Sequence, residues 1–205
     1  MNISLKVIKV ASNNMTIKKK DLKGGKVFSI QVGSFGYVLA QLRDNCRMDV
    51  FDNLRNEDEW KEENLNEAKI LFTIVVAEHR ILKLFTSDVT SVVIPNTRKR
   101  DLLALKMSSN IRKLTNLPAL SLIKLDEVHD PNNVEVLIDS LEPDFHKDVL
   151  YSYEYIGMVG QPEKIRDRIV TYFSSGINWD KQKSIFYPEL SLPPRDYKNK
   201  VWSKE

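Results

Sequence analysis

Only one cysteine, Cys46, stands in the 205 residues, which excludes an internal disulfide and a zinc site built from several thiolates. A reducing compartment is the expected setting, with the cytoplasm as default. The three histidines, His79, His129 and His146, lie far apart and form no i, i+4 pair beside a glutamate, so no resident metal or other cofactor is expected. Long apolar runs are missing: none approaches the roughly 18 to 20 residues of a membrane span. Lysine and asparagine interrupt every apolar run near Met1, where a signal peptide would need its core. Glycine is also scarce, at seven residues. Gly33-x-x-Gly36 and Gly157-x-x-Gly160 complete neither a P-loop nor a dinucleotide fingerprint, and turn geometry is the better reading of both.

Nor is there a large excess of either charge. Lys and Arg number 31 against 28 Asp and Glu, too even a balance to draw the whole chain onto nucleic acid or an anionic membrane. The charges are segregated, however. Met1 to Lys26 holds seven lysines and one acid, whereas Asp126 to Asp148 holds eight acids and one lysine. Length and composition are those of one compact globular unit over residues 1–205. Within it we expect a β-rich half at about 1–95, a mixed α/β half at about 96–177 and an extended tail at 178–205.

Along the chain, Met1 to Val10 alternates loosely and could be a strand. Val27 to Val32 and Tyr37 to Leu42 are rich in β-branched and aromatic residues, and the Gly33-Ser34-Phe35-Gly36 stretch between them predicts a hairpin, with Arg47 to Phe51 as third strand. Asn53 to Lys69 is acidic around a lone Trp60 and reads equally as a solvated loop or an exposed helix. Ile70 to Ala77 reads as a central strand covered on both faces, followed by strand candidates at Arg80 to Phe85 and Val89 to Ile94. Leu103, Met107, Ile111 and Leu114 fit one helical face, and Leu120 to Leu125 a strand. Asp130-Pro131 has the chemistry of a helix start, with Val134, Leu137, Ile138 and Leu141 inside, an acidic stripe of Glu135, Asp139 and Glu142 outside, and Pro143 closing it. Leu150 to Met158 alternates like a strand, and Pro162 to Ser175 is the clearest helix, with Gly176 at its C-terminus. Beyond it, Trp179, Phe186 or Tyr187 could anchor the tail. The fold expected is α+β: an antiparallel, partly barrel-like sheet with a few flanking helices.

Catalytic chemistry finds little footing. Nucleophilic use of Cys46 would need a nearby histidine or cation to lower its pKa. Although Arg43 and Arg47 are close in sequence, Cys46 sits in a turn between strands, where a structural or incidental thiol is the better reading. A row of outward-facing acids is more often a solvated face than a general acid/base pair. Lys18 to Lys20 and Arg98 to Arg100, with Phe28, Phe35 and Tyr37 as stacking residues, make a nucleic-acid-binding module with a small barrel-like sheet the alternative reading. Aromatic residues at strand spacing are more often core, which weighs against it.

Gly25-Lys26-Val27-Phe28-Ser29-Ile30, then Gly36-Tyr37-Val38-Leu39-Ala40-Gln41-Leu42, then Phe51-Asp52, resembles the opening of the immunity protein 26 family, bacterial antidotes that accompany polymorphic toxins, including those of contact-dependent growth inhibition. The resemblance implies a non-enzymatic protein that binds the C-terminal domain of its cognate toxin and blocks its active site, with neither membrane nor nucleic acid as partner. Many such toxins are nucleases or otherwise cationic, so an acidic surface would steer association. On that implication the partner-binding residues are Glu135, Asp139 and Glu142, with Asp126, Glu127, Asp130 and Asp144 around them, and Trp60 as a second anchor.

Overall fold

The computed structural model describes residues 17–99, 102–126, 133–195 and 197; the expected strand at Met1 to Val10 lies outside them. The strands are β1 (Val27–Val32), β2 (Gly36–Arg43), β3 (Arg47–Phe51), β4 (Glu63–Asn64), β5 (Ile70–Val75), β6 (Ser87–Asp88), β7 (Val93–Ile94), β8 (Leu103–Ile111), β9 (Pro118–Leu125) and β10 (Val134–Ile138), and the helices α1 (Pro143–Ser152), α2 (Pro162–Ser175) and α3 (Lys183–Phe186). The architecture is α+β. One antiparallel sheet has the order β5-β3-β2-β1-β6, a second the order β10-β9-β8, and β4 pairs with β7 in parallel. Neither antiparallel sheet closes into a barrel, so only the sheet-and-helix part of the expected architecture stands. Among the described residues no helix is long and apolar enough to cross a membrane.

The β1–β2 hairpin forms as its turn chemistry predicts, in register from Val27 opposite Gln41 to Val32 opposite Gly36. At Gly36 φ is 126°, and a Cβ would lie 2.0 Å from the Arg55 carbonyl oxygen. Glycine alone therefore lets Tyr37 and Arg55 exchange backbone hydrogen bonds at 2.7 and 2.9 Å. Alternation divides the side chains of this sheet between two cores. Phe28, Ile30, Val38, Ala40, Val50 and Phe72 face α2 through Ile165 and Ile169. Val27, Leu39, Phe51 and Ile70 face Trp60, Leu65, Val89 and Val93. The second core is why so few positions of this sheet read as solvent-facing. β5 is an edge of the sheet and not its centre. That edge is covered, since Asn178 Nδ2 donates to Leu71 O at 2.6 Å and Val159 bonds Val75 and Ala77.

Four expected elements changed type. The helix expected from Leu103 is β8. Leu103, Leu105 and Met107 also alternate at strand period, and β9 supplies the partner that decides between the two periods. The helix expected after Asp130 is β10, paired with β9. Pro143 opens α1 instead of closing a helix, because at the first helical position its missing N–H costs nothing; the Glu142 side chain makes no cap bond there and pairs with Arg112 instead. Leu150 to Met158 therefore finishes α1 and continues as an extended segment, and Arg80 to Phe85 forms 3-10 turns at Glu78–Arg80 and Leu82–Leu84. The tail is not a surface strap: Trp179 and Tyr187 are buried, and the Tyr187 hydroxyl donates to Leu141 O and accepts from Leu120 N–H at 2.9 and 2.8 Å.

The segment from Glu154 to Val159 stitches the two large sheets together. Leu105 N–H donates to Glu154 O and Ile156 N–H to Leu105 O, on the second sheet; Val159 N–H donates to Val75 O and Ala77 N–H to Val159 O, on the first. Arg168 of α2 clamps this seam. Its terminal nitrogens donate to both Glu154 oxygens at 3.0 and 2.7 Å, its Nε to Asn178 at 2.9 Å, and its guanidinium lies 4.0 Å from the Phe72 ring centroid. Beside it Lys183, wholly buried, donates to Leu150 O and Tyr153 O at 2.8 and 2.7 Å. Burial pulls its ammonium down to about 8, against the raising pull of Glu154 and Asp180.

Removing one member of a buried ion pair strands the other, so Arg168→Ala should lower unfolding free energy by about 3 to 5 kcal/mol in urea denaturation; a loss below about 1 kcal/mol would mean the seam does not depend on this pair. Lys183 supplies a pH test. Between about pH 8 and pH 10.5 the unfolded chain holds a proton that the folded one has lost, so this group's contribution to stability rises with pH through that window. The urea midpoint of the native protein should therefore climb relative to that of Lys183→Met across the window, and parallel pH profiles would contradict it.

Candidate functional site

The expected partner-binding residues divide three ways. Glu127 and Asp130 lie outside the described residues. Trp60 is not a surface anchor: it is buried in the outer core of the first sheet, where its Nε1–H donates to Asp58 at 2.7 Å and Arg55 stacks 4.9 Å from its ring centroid. Asp58 in turn accepts from Ser29 and Ser87 hydroxyls at 3.0 and 2.9 Å, so part of the acidic stretch 53–69 is a lid over β1 and β6. The remaining acids gather around β10, as the charge segregation implied, though on a strand, a bend and a helix start instead of on one helical stripe.

Two of those acids hold the fold. Glu142 accepts from Arg112 Nε at 3.3 Å, and Arg112, itself buried, also reaches Glu189 and donates to Phe186 O at 2.9 Å. Asp139 accepts from Asn110 Nδ2 at 2.7 Å and Ser108 Oγ at 3.3 Å, and its carbonyl from Ser121 Oγ at 2.7 Å, which ties the end of β10 to β8 and β9. Asp126 accepts from Asn133 at 3.0 Å beside the start of β10. Glu135 and Asp144 are exposed; Glu135 stands opposite Lys124 on β9 with no ion pair among the described residues.

What the sequence did not mark is the apolar half of this surface. β10 is an edge strand: β9 pairs with one side, and no strand among the described residues pairs with the other. Its register slips between Val136 and Ile138, so Leu137 is the extra residue of a bulge. Val136 and Leu137 are about half exposed, Met107 and Ile111 on β8 likewise, and Phe145 in the first turn of α1 is 83 % exposed. The Arg112–Glu142 pair joins the end of β8 to the start of α1. Met107 and Ile111 lie on β8, the opposite edge of this sheet, so the exposed apolar residues of the β10 edge itself are Val136 and Leu137. The signal that could have found them is the strand-period alternation of Val134, Val136 and Ile138, which competes with the helical spacing.

The chemistry here is that of association. Backbone N–H and C=O groups on an open edge, apolar side chains beside it and carboxylates around it suit docking of a protein that carries cationic groups. The Cys46 thiol is pushed up by burial and by Glu78, the opposite of what a nucleophile needs. Among the described residues no group of three or more His, Cys, Asp or Glu side chains is placed to hold a metal ion.

The two kinds of acid should separate in a stability assay. Glu142→Ala, which leaves buried Arg112 short of a partner, should cost about 1 kcal/mol or more, whereas Glu135→Ala should stay within about 0.5 kcal/mol of the native protein. Equal effects in thermal unfolding would place both acids in the same role.

One family model matches the chain, over residues 17–192: DUF8309, a domain of unknown function. No curated protein and no solved structure matches it.

Proposed function

The chain belongs to DUF8309, and for this member we propose a non-enzymatic immunity function: binding and neutralising a cognate toxin domain in the cytoplasm. The observation that carries the reading is the β10 edge, which no strand among the described residues pairs and where Val136 and Leu137 are exposed between carboxylates on a protein whose overall charge is slightly positive. The resemblance of the β1–β2 hairpin to immunity protein 26 supports it independently. Attraction for a cationic partner comes from the local patch, since the net charge of +3 works against it. Glu135 and Asp144 steer the partner, while the bulged edge and Phe145 provide the contact that excludes water. A toxin whose cationic site meets this patch loses access to its own anionic substrate.

Of the residues named for the nucleic-acid alternative, Phe35 and Lys18 to Lys20 are exposed, but the other two aromatic residues face the cores. Phe28 is fully buried against Phe85 in the inner core, and Tyr37 packs on the outer one. Arg98 donates to the Leu65 and Ala68 carbonyls at 2.9 and 2.7 Å.

Binding to the toxin domain encoded beside this protein tests the proposal. In titration calorimetry, Glu135→Lys combined with Asp144→Asn should weaken binding about tenfold or more and flatten its salt dependence, and Leu137→Ser, which removes the apolar contact without adding charge, should weaken it as much without altering that dependence. Affinity untouched by all three substitutions would remove this surface from the function.

A further inference from the structure

A cavity of about 280 Å³ lies between α2, β5 and the turn that leads into α3. Its size is nearly twice that of the ~150 Å³ engineered cavity that accepts benzene, so a ring-sized molecule fits. Partly exposed Val159 and Ile185, which is 67 % exposed, give it apolar sides near the mouth, and the almost wholly buried Ile74 and Ile165 close its floor.

The charges around it fall into two groups. The buried ones offer a ligand nothing: Arg168 directs its donors at Glu154 and Asn178, one Asp180 oxygen accepts the Gln182 N–H at 2.9 Å, and the other is buried out of reach of the cavity. They also balance, with Arg168 and Lys183 against Glu154 and Asp180. The exposed group consists of Lys164 and Asp167 on α2 and Lys181 in the turn before α3, all lining the same cavity. Lys164 and Asp167 are spaced to share a helical face, yet among the described residues neither lysine forms an ion pair. Two uncommitted cations against one acid leave the rim positive.

We propose that this cavity binds a small carboxylate with an apolar body, its hydrocarbon part seated against Val159, Ile165 and Ile185 and its charged end at the mouth, beside the ammonium groups of Lys164 and Lys181. Apolar contact supplies most of the affinity, and the two cations set orientation and the preferred sign of charge, the usual division of labour in small-molecule sites. Lysine stems lie along apolar surface while the ammonium stays in water, so both can edge a ligand lodged against Ile185. A cationic ligand meets both lysines as like charges, with only Asp167 in its favour. A neutral one gains the apolar contact alone. This site is separate from the β10 edge, and its test does not depend on the toxin.

Benzoate, benzyl alcohol and benzylamine are the probes, titrated at neutral pH and low salt into the full chain while the isoleucine methyl resonances are followed by NMR. Benzoate should give saturable shifts at Ile74, Ile165 and Ile185, with affinity about threefold or more above that of benzyl alcohol and about tenfold or more above that of benzylamine. Added salt should narrow those ratios, since exposed charges are screened. Lys164→Glu combined with Lys181→Glu, both at exposed positions, should invert the order of benzoate and benzylamine and leave benzyl alcohol unchanged. Ile185→Ser should weaken all three probes about threefold. Absence of saturable shifts, benzylamine binding as tightly as benzoate, or an order unchanged in the double lysine variant would overturn the proposal.

Discussion

The buried Arg168–Glu154 pair is the constraint on which the arrangement of the two sheets depends. Glu154 begins the six-residue extended segment whose backbone bonds reach β8 at one end and β5 at the other, and Arg168 fixes α2 onto it while covering Phe72. Two charges out of water are tolerable only when hydrogen bonding meets them fully. Here both carboxylate oxygens are paired and the guanidinium also reaches Asn178, whose amide then caps the β5 edge at Leu71. Helix, seam and edge are thus held by one continuous set of bonds.

A second polar network does comparable work on the outer face of the first sheet. Asp49, wholly buried, accepts from Arg43, Thr73 and Asn96 at 3.0, 2.8 and 3.2 Å, and Gln41 exchanges two bonds with the Asn96 backbone at 2.7 and 3.1 Å. The chain from Ile94 to Arg98 is thereby laid across β2, β3 and β5. The association surface is what remains once such demands are met. Around β10, Asp139 and Glu142 are committed to neighbours, and Glu135 and Asp144 are left facing outward beside exposed Val136, Leu137 and Phe145. The acidic run from 126 to 148 is therefore two populations with different duties.

Much of this was legible locally. The glycine-flanked turn of the first hairpin, the strand at Arg47 to Phe51, the apolar run at Ile70 and the capped amphipathic helix at Pro162 each carry their own geometry, and Gly176 adopts the left-handed conformation expected of it, with φ of 74°. Errors fell where two periods fit one segment. Leu103 to Ile111 satisfies helical and strand spacing alike, and Pro143, expected to close a helix, opens one. Trp60, set among acids, gave no hint that it turns inward onto Val27 and Leu39. The acids of the candidate surface could be named from charge segregation alone, but its apolar members could not.

By itself the sequence determined the elements whose hydrogen bonds close within a few residues, the antiparallel α+β character, and the separation of acidic from basic segments. These depend on turn chemistry, side-chain periodicity and counting, all local properties. Only the tertiary structure decided which strand covers which edge, that Lys183 and Asp180 are buried beside Arg168 and Glu154, and that no strand among the described residues pairs with the second side of β10. Those outcomes join residues separated by tens of positions, and each follows from the requirement that buried polar groups find partners, which the packing of distant segments alone can meet.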